Sequence, residues 1–174
     1  MGEKFDATPA KIVIPYSEVP YFARSTVPGH AGNLILGYIG GVPVICMQGR
    51  FHYYEGYSMA QVTYPVRVMA KIGISCLVVS NAAGCVVPEW KVGDIALITD
   101  HINFSGTNPL IGPNKDLFPP HSVRFPDMGN CYDAKLRELV NEVAVKKGIS
   151  LREGVYWGMS GPSFETSLLL HSFP

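Results

Sequence analysis

Charged side chains are scarce in this sequence: they make up 16% of its 174 residues, and 14 acidic groups cancel 14 basic ones. Such a chain has neither a basic field for nucleic acid nor an acidic field for a cationic partner. Cysteine is sparse as well. Cys46, Cys76, Cys85 and Cys131 form no C-x-x-C pair, so the spacing offers neither a zinc site nor a disulfide framework. Cys46 and Cys76 lie inside apolar runs, as buried reduced thiols would. No apolar run approaches the roughly 18 residues of a membrane span, and no charged and then apolar leader opens the chain. No internal repeat or second-domain linker is visible. These absences point to a soluble, cytoplasmic, single-domain protein over residues 1–174 that binds a small ligand and touches neither membrane nor nucleic acid. The 47% hydrophobic content is enough for a core.

What is present is an alternation of short apolar runs and amphipathic stretches. Asn33 to Ile39 and Val42 to Met47 flank Gly40-Gly41, a pair free to adopt the φ > 0 turn of a tight hairpin. Ser58 can cap a helix from Met59 to Ile72 with Met59, Val62, Val66 and Met69 along one face, and Pro65 is expected to kink it or mark a later start. Cys76 to Ser80 and Ile95 to Thr99 read as strands buried on both faces, and Val155 to Trp157 as a further strand. Asp133 caps Ala134 to Lys147, where Leu136, Leu139, Val140 and Val143 repeat at helical spacing and Lys146-Lys147 suit the negative helix end. From Asp100 to Met128 no periodicity is usable, the mark of a lid or binding loop. Helices alternating with buried strands give an α/β fold, and the hairpin makes its sheet mixed, with helices flanking it.

Four stretches carry candidate chemistry, each with a plain alternative. Gln48 to Gly56 follows an apolar strand and sets Arg50 and His52 two residues apart, where an α/β protein binds its ligands. Alternation points both side chains the same way, and the pair suits an oxyanion such as phosphate. A surface arginine beside a satisfied histidine accounts for the pattern equally well. Asn81-Ala82-Ala83-Gly84 has small residues that let backbone N–H groups approach an anion, or is an ordinary turn. His30, between Pro28-Gly29 and Ala31-Gly32, either closes over a polar ligand or is a solvated loop histidine. Phe164 and Glu165 pair a ring that can stack on a planar heterocycle with an acceptor for its N–H, or else cap the core and start a helix.

Taken in order, Arg24 to Gly32, Gln48 to Gly56, Asn81 to Gly84, Gly93-Asp94-Ile95, Asp100-His101-Ile102-Asn103 and Gly161 to Thr166 resemble the trimeric type of purine nucleoside phosphorylase, from Met1 to Thr166. Ser163-Phe164-Glu165-Thr166 favours it over the related methylthioadenosine phosphorylase. The resemblance implies a nucleoside phosphorylase-like fold, purine salvage, and phosphorolysis of guanosine or inosine to free base and ribose 1-phosphate. Inorganic phosphate would be the co-substrate, with no cofactor or metal. It further implies that His30, Arg50, His52 and the backbone of Ala82 bind phosphate and that Tyr54 touches ribose. Phe164 and Glu165 would hold the purine, helped by Phe125 from a neighbouring subunit of a homotrimer.

The family's Gly-Ser-Gly-Leu-Gly phosphate loop would meet Met1-Gly2 only at its last two residues, Cys85 replaces a second glycine, and Ser167 to Pro174 stand where the family continues. The expectation is therefore an incomplete domain truncated at both ends and poorly soluble alone. It would be either part of an active phosphorylase or an inactive fragment that associates with intact subunits through the Phe125 region.

Overall fold

In the tight turn at Gly40 and Gly41, φ is 57° and 78°, the left-handed pair that a two-residue hairpin requires. It joins β2 (Asn33–Ile39) to β3 (Val42–Gln48), and β1 (Ile12–Pro15) pairs antiparallel with the other edge of β2. The computed structural model describes residues 5–6, 11–27, 29–113 and 123–171. Pro28, Met1-Gly2, residues 114–122 of the long loop and Ser172 to Pro174 lie outside these. The chain divides into two compact units, Met1–Leu77 with Asn108–Ile111, and Val78–Thr107 with Gly112–Pro174.

The first unit is built on the three-stranded sheet. Asp6 holds its hairpin: the carboxylate accepts the backbone N–H of Gly40 and Gly41 at 3.1 and 3.0 Å, and Asp6 N donates to Tyr38 O at 2.8 Å. Leu34 pairs with Met47 and Leu36 with Ile45, so the alternation of the strands sends these four to one face. There they join Tyr16, Ala23 and Phe51 in the core. The Tyr16 ring meets Phe22 and Phe51 at centroid distances of 5.4 and 5.2 Å, tilted and edge-on respectively, the geometry aromatic quadrupoles favour.

The expected helix follows as α1 (Met59–Ile72), capped reciprocally by Ser58 and Gln61 and ended by Gly73 at φ 99°. Pro65 does not delay its start: the helix begins at Met59 and continues through the proline, whose ring is fully buried. Burial of that ring offsets the backbone hydrogen bond it cannot make. Arg67 Nη2 donates to Pro109 O at 3.1 Å, which ties Asn108–Ile111 to this unit.

In the second unit β4 (Ile95–Asn103) and β5 (Leu151–Gly158) run parallel, with an irregularity between Ile98 and Asp100. Thr99 Oγ1 donates to Gly154 O at 3.2 Å beside that irregularity. The helix expected from Asp133 is α2 (Ala134–Lys147), with the Asp133 side chain accepting Leu136 N at 2.9 Å, and α3 is Ser167–His171. Both pairing modes of a mixed fold are thus present, in separate antiparallel and parallel ladders.

Three expectations need correction. Cys76 to Ser80 forms no strand, and Cys76 and Val78 are exposed rather than buried. A run of apolar residues becomes a strand only when neighbours complete its ladder, and neither described sheet includes this run. β4 is not buried on both faces, since Ile95 and Ile102 are exposed, its described ladder having β5 on one side only. β4 also runs to Asn103, so the irregular segment begins four residues later than the lack of periodicity implied. Those last residues pair with Val155 to Gly158, a register that periodicity within one strand does not reveal.

Candidate functional site

β3 ends at Gln48, and Gly49 turns the chain at φ 101°. A Cβ on Gly49 would lie 2.8 Å from Cβ of His30, so only glycine lets the loop carrying His30 close on the strand end. Gly32 N donates to Gln48 O at 2.9 Å, and the buried Tyr16 hydroxyl donates to Gly49 O at 2.6 Å. Burial, with a smaller effect of Cys46, pushes the Tyr16 hydroxyl well above the usual phenol range, so it stays a donor. Nδ1 of His30 lies 2.8 Å from both N and O of Arg50. Either tautomer engages Nδ1 with that backbone, which leaves Nε2 for another partner.

His52 is held by Glu55. Oε1 of Glu55 accepts His52 N at 2.6 Å and lies 2.8 Å from His52 Nδ1, while Oε2 accepts Thr26 N and Thr26 Oγ1 at 2.8 and 2.7 Å. The Glu55 side chain is 2% exposed. Desolvation pushes its carboxyl up, but hydrogen bonds from Thr26 and His52 outweigh this and bring it down to about 2. An ionised carboxylate only accepts, so the pattern assigns a proton to His52 Nδ1 and turns Nε2 to other uses. The His52 ring lies 5.1 Å from the His30 ring and stacks on Tyr54 at 4.7 Å and 17°.

His30, Arg50, His52 and Tyr54 are therefore assembled within the first unit at the end of β3. Two imidazoles, each anchored through Nδ1, stand beside the backbone of Arg50; a guanidinium, and an imidazole that carries a proton on Nε2, are donors suited to an oxyanion.

Ala82, Phe125, Phe164 and Glu165 all belong to the second unit, where each is exposed. Asn81 Nδ2 donates to Ala82 O at 3.0 Å. The Arg124 guanidinium stands 5.1 Å over the Phe125 ring, and Phe164 is 94% exposed. A shallow depression of about 610 Å3 lined by Arg137, Asn141 and Glu153 among others contains none of the expected residues. No group of three or more His, Cys, Asp or Glu side chains among the described residues could hold a metal ion.

Sequence reasoning overlooked Thr26 and Glu55. A histidine followed three residues later by glutamate has the spacing of a reciprocal cap and could have flagged Glu55. Thr26 is 29 residues from its partner, and no local signal marks it.

The family model of the phosphorylase superfamily matches residues 1–173. The chain belongs to the phosphorylase superfamily. It is 51% identical over 166 residues to purine nucleoside phosphorylase 1 of Bacillus subtilis, covering 95% of this chain and 60% of that protein. Among solved structures, Schistosoma mansoni purine nucleoside phosphorylase in complex with inosine superposes with a TM-score of 0.87 at 43% identity, covering 96% of this chain and 60% of that one. The same enzyme in complex with adenosine gives 0.87 at 42%, covering 98% and 61%. A purine nucleoside phosphorylase in complex with ribose 1-phosphate gives 0.88 at 42%, covering 99% and 64%. The fold is thus nucleoside phosphorylase-like. The chain spans 43% to 60% of the length of the curated relatives it matches.

Proposed function

We propose that this phosphorylase-superfamily chain serves purine nucleoside phosphorolysis: inorganic phosphate attacks C1′ of the nucleoside, the glycosidic bond breaks, and free base and ribose 1-phosphate result. The observation that carries the reading is the pair of imidazoles of His30 and His52, each held through Nδ1, beside the Arg50 backbone at the end of β3. The relatives bound to inosine and to ribose 1-phosphate support it. His30, Arg50, His52 and the Ala82 backbone are the phosphate ligands, Tyr54 the ribose contact, and Phe164 and Glu165 the purine stack and reader. Phe125 serves the site of a neighbouring subunit in a homotrimer of single-domain chains. The reaction needs no cofactor, and purine salvage in the cytoplasm is its setting.

The physical task is electrostatic. As the bond breaks, the sugar takes on oxocarbenium character and the purine becomes electron-rich. A phosphate anion fixed beside C1′ stabilises the one, and donors to the purine stabilise the other. Glu165 accepts the N1–H of hypoxanthine or guanine, whereas adenine presents a lone pair there and two acceptors would oppose each other.

Hypoxanthine release from inosine and phosphate tests the reading directly. Arg50→Ala is expected to reduce kcat/KM by about 10²–10³-fold, as loss of an oriented anion-stabilising donor does. Release of adenine from adenosine is expected to be slower than release of hypoxanthine. Turnover indifferent to Arg50, or equal rates on the two nucleosides, would refute the phosphate and purine assignments respectively.

A further inference from the structure

The Glu55 carboxylate is shared between two segments, and each of its oxygens takes two hydrogen bonds from one of them. Oε1 serves His52 N and Nδ1; Oε2 serves Thr26 N and Oγ1. Thr26 belongs to the loop that carries His30. That loop is tied elsewhere by Tyr57 Oη donating to Arg24 O at 2.6 Å and Gly32 N donating to Gln48 O at 2.9 Å. The terminal torsion of a glutamate is broad and roughly two-fold. A carboxylate engaged on Oε1 alone could rotate away from His52. Hydrogen bonds from both donors of Thr26 remove that freedom.

We propose that Thr26 is a positioning residue of the phosphate site: by locking Oε2 of Glu55 it fixes the carboxylate that orients the His52 imidazole, and it ties the His30 loop to the same carboxylate. The role rests on the reading of His52 as a phosphate ligand. It assigns one threonine to two ligands, one on its own loop and one reached through Glu55. Thr26 itself touches no phosphate.

Thr26→Val tests it, because valine keeps the branched shape and the backbone N–H while removing Oγ1–H. The imidazole 15N spectrum of His52 in the purified full-length chain reports the hydrogen bond of Nδ1 to Glu55 without any turnover, and titration with inorganic phosphate reports affinity. Thr26→Val is expected to shift the His52 Nδ1 resonance as its hydrogen bond to Glu55 loosens, and to weaken phosphate binding by about tenfold, the scale of one hydrogen bond to a charged group. Thr26→Ser, which keeps the hydroxyl, is expected to restore both.

An unchanged His52 Nδ1 resonance with phosphate affinity within twofold in Thr26→Val would overturn the role of Thr26 and leave the phosphate reading standing. No response of the unmodified chain to phosphate would overturn the phosphate reading, and this role with it. Valine and Thr26→Ala variants that both fail to fold, beside a folded serine variant, would make Thr26 a determinant of the fold and overturn its positioning role.

Discussion

Glu55 shows how far hydrogen bonds can outweigh burial at a single residue. Its carboxyl is held at about 2 against an ordinary value of 4.5. A group depressed in the folded state contributes stability that is complete above the ordinary value and lost as pH falls through the folded one. The melting temperature is therefore expected to drop between about pH 4.5 and pH 2, and more steeply in the unmodified chain than in Glu55→Gln. Identical acid profiles for the two would show that Glu55 takes no part in acid lability. That Arg50 and His52 follow the end of β3 was legible in sequence, because a strand end is a local property. The partnership of Glu55 with Thr26 was not, since it is made only when a loop returns to the strand end.

Among elements, the hairpin and the two long helices were readable because their signals are contiguous. Gly40-Gly41 supplies the positive φ at both positions that a two-residue hairpin turn requires, Ser58 with Gln61 and Asp133 with Leu136 N form caps within one helical turn, and Gly73 and Gly148 end the helices at positive φ. The clamp of Asp6 on the hairpin turn spans 34 and 35 residues and had no sequence signal. Asp6→Ala removes two hydrogen bonds to a charged acceptor at an exposed site, and is expected to cost about 1–2 kcal/mol in urea denaturation. A cost near zero would show that the glycine pair holds the turn unaided. The run Cys76 to Ser80 marks the limit of such reading. Its composition suits a strand, yet strand formation depends on partners that no local pattern names.

At the scale of the molecule, the apolar residues of α2 decide behaviour in solution. Leu136, Leu139, Val140 and Val143 repeat at helical spacing, yet each is exposed, and Ala144 is the helix's one buried residue. A contiguous apolar stripe of this kind promotes association. Sedimentation velocity is expected to show the chain self-associating as concentration rises, and a Leu139→Lys, Val143→Glu double variant to associate less. A monodisperse monomer over the whole concentration range would contradict this.

The sequence by itself determined the family, the hairpin and the long helices, because these depend on composition and on spacings within a few residues. Only the tertiary structure decided that Glu55 anchors His52, that Thr26 anchors Glu55, that Pro65 is tolerated inside α1, and that Cys76 to Ser80 forms no strand. Each of these depends on which distant groups reach hydrogen-bonding or van der Waals distance, and a linear pattern does not encode that.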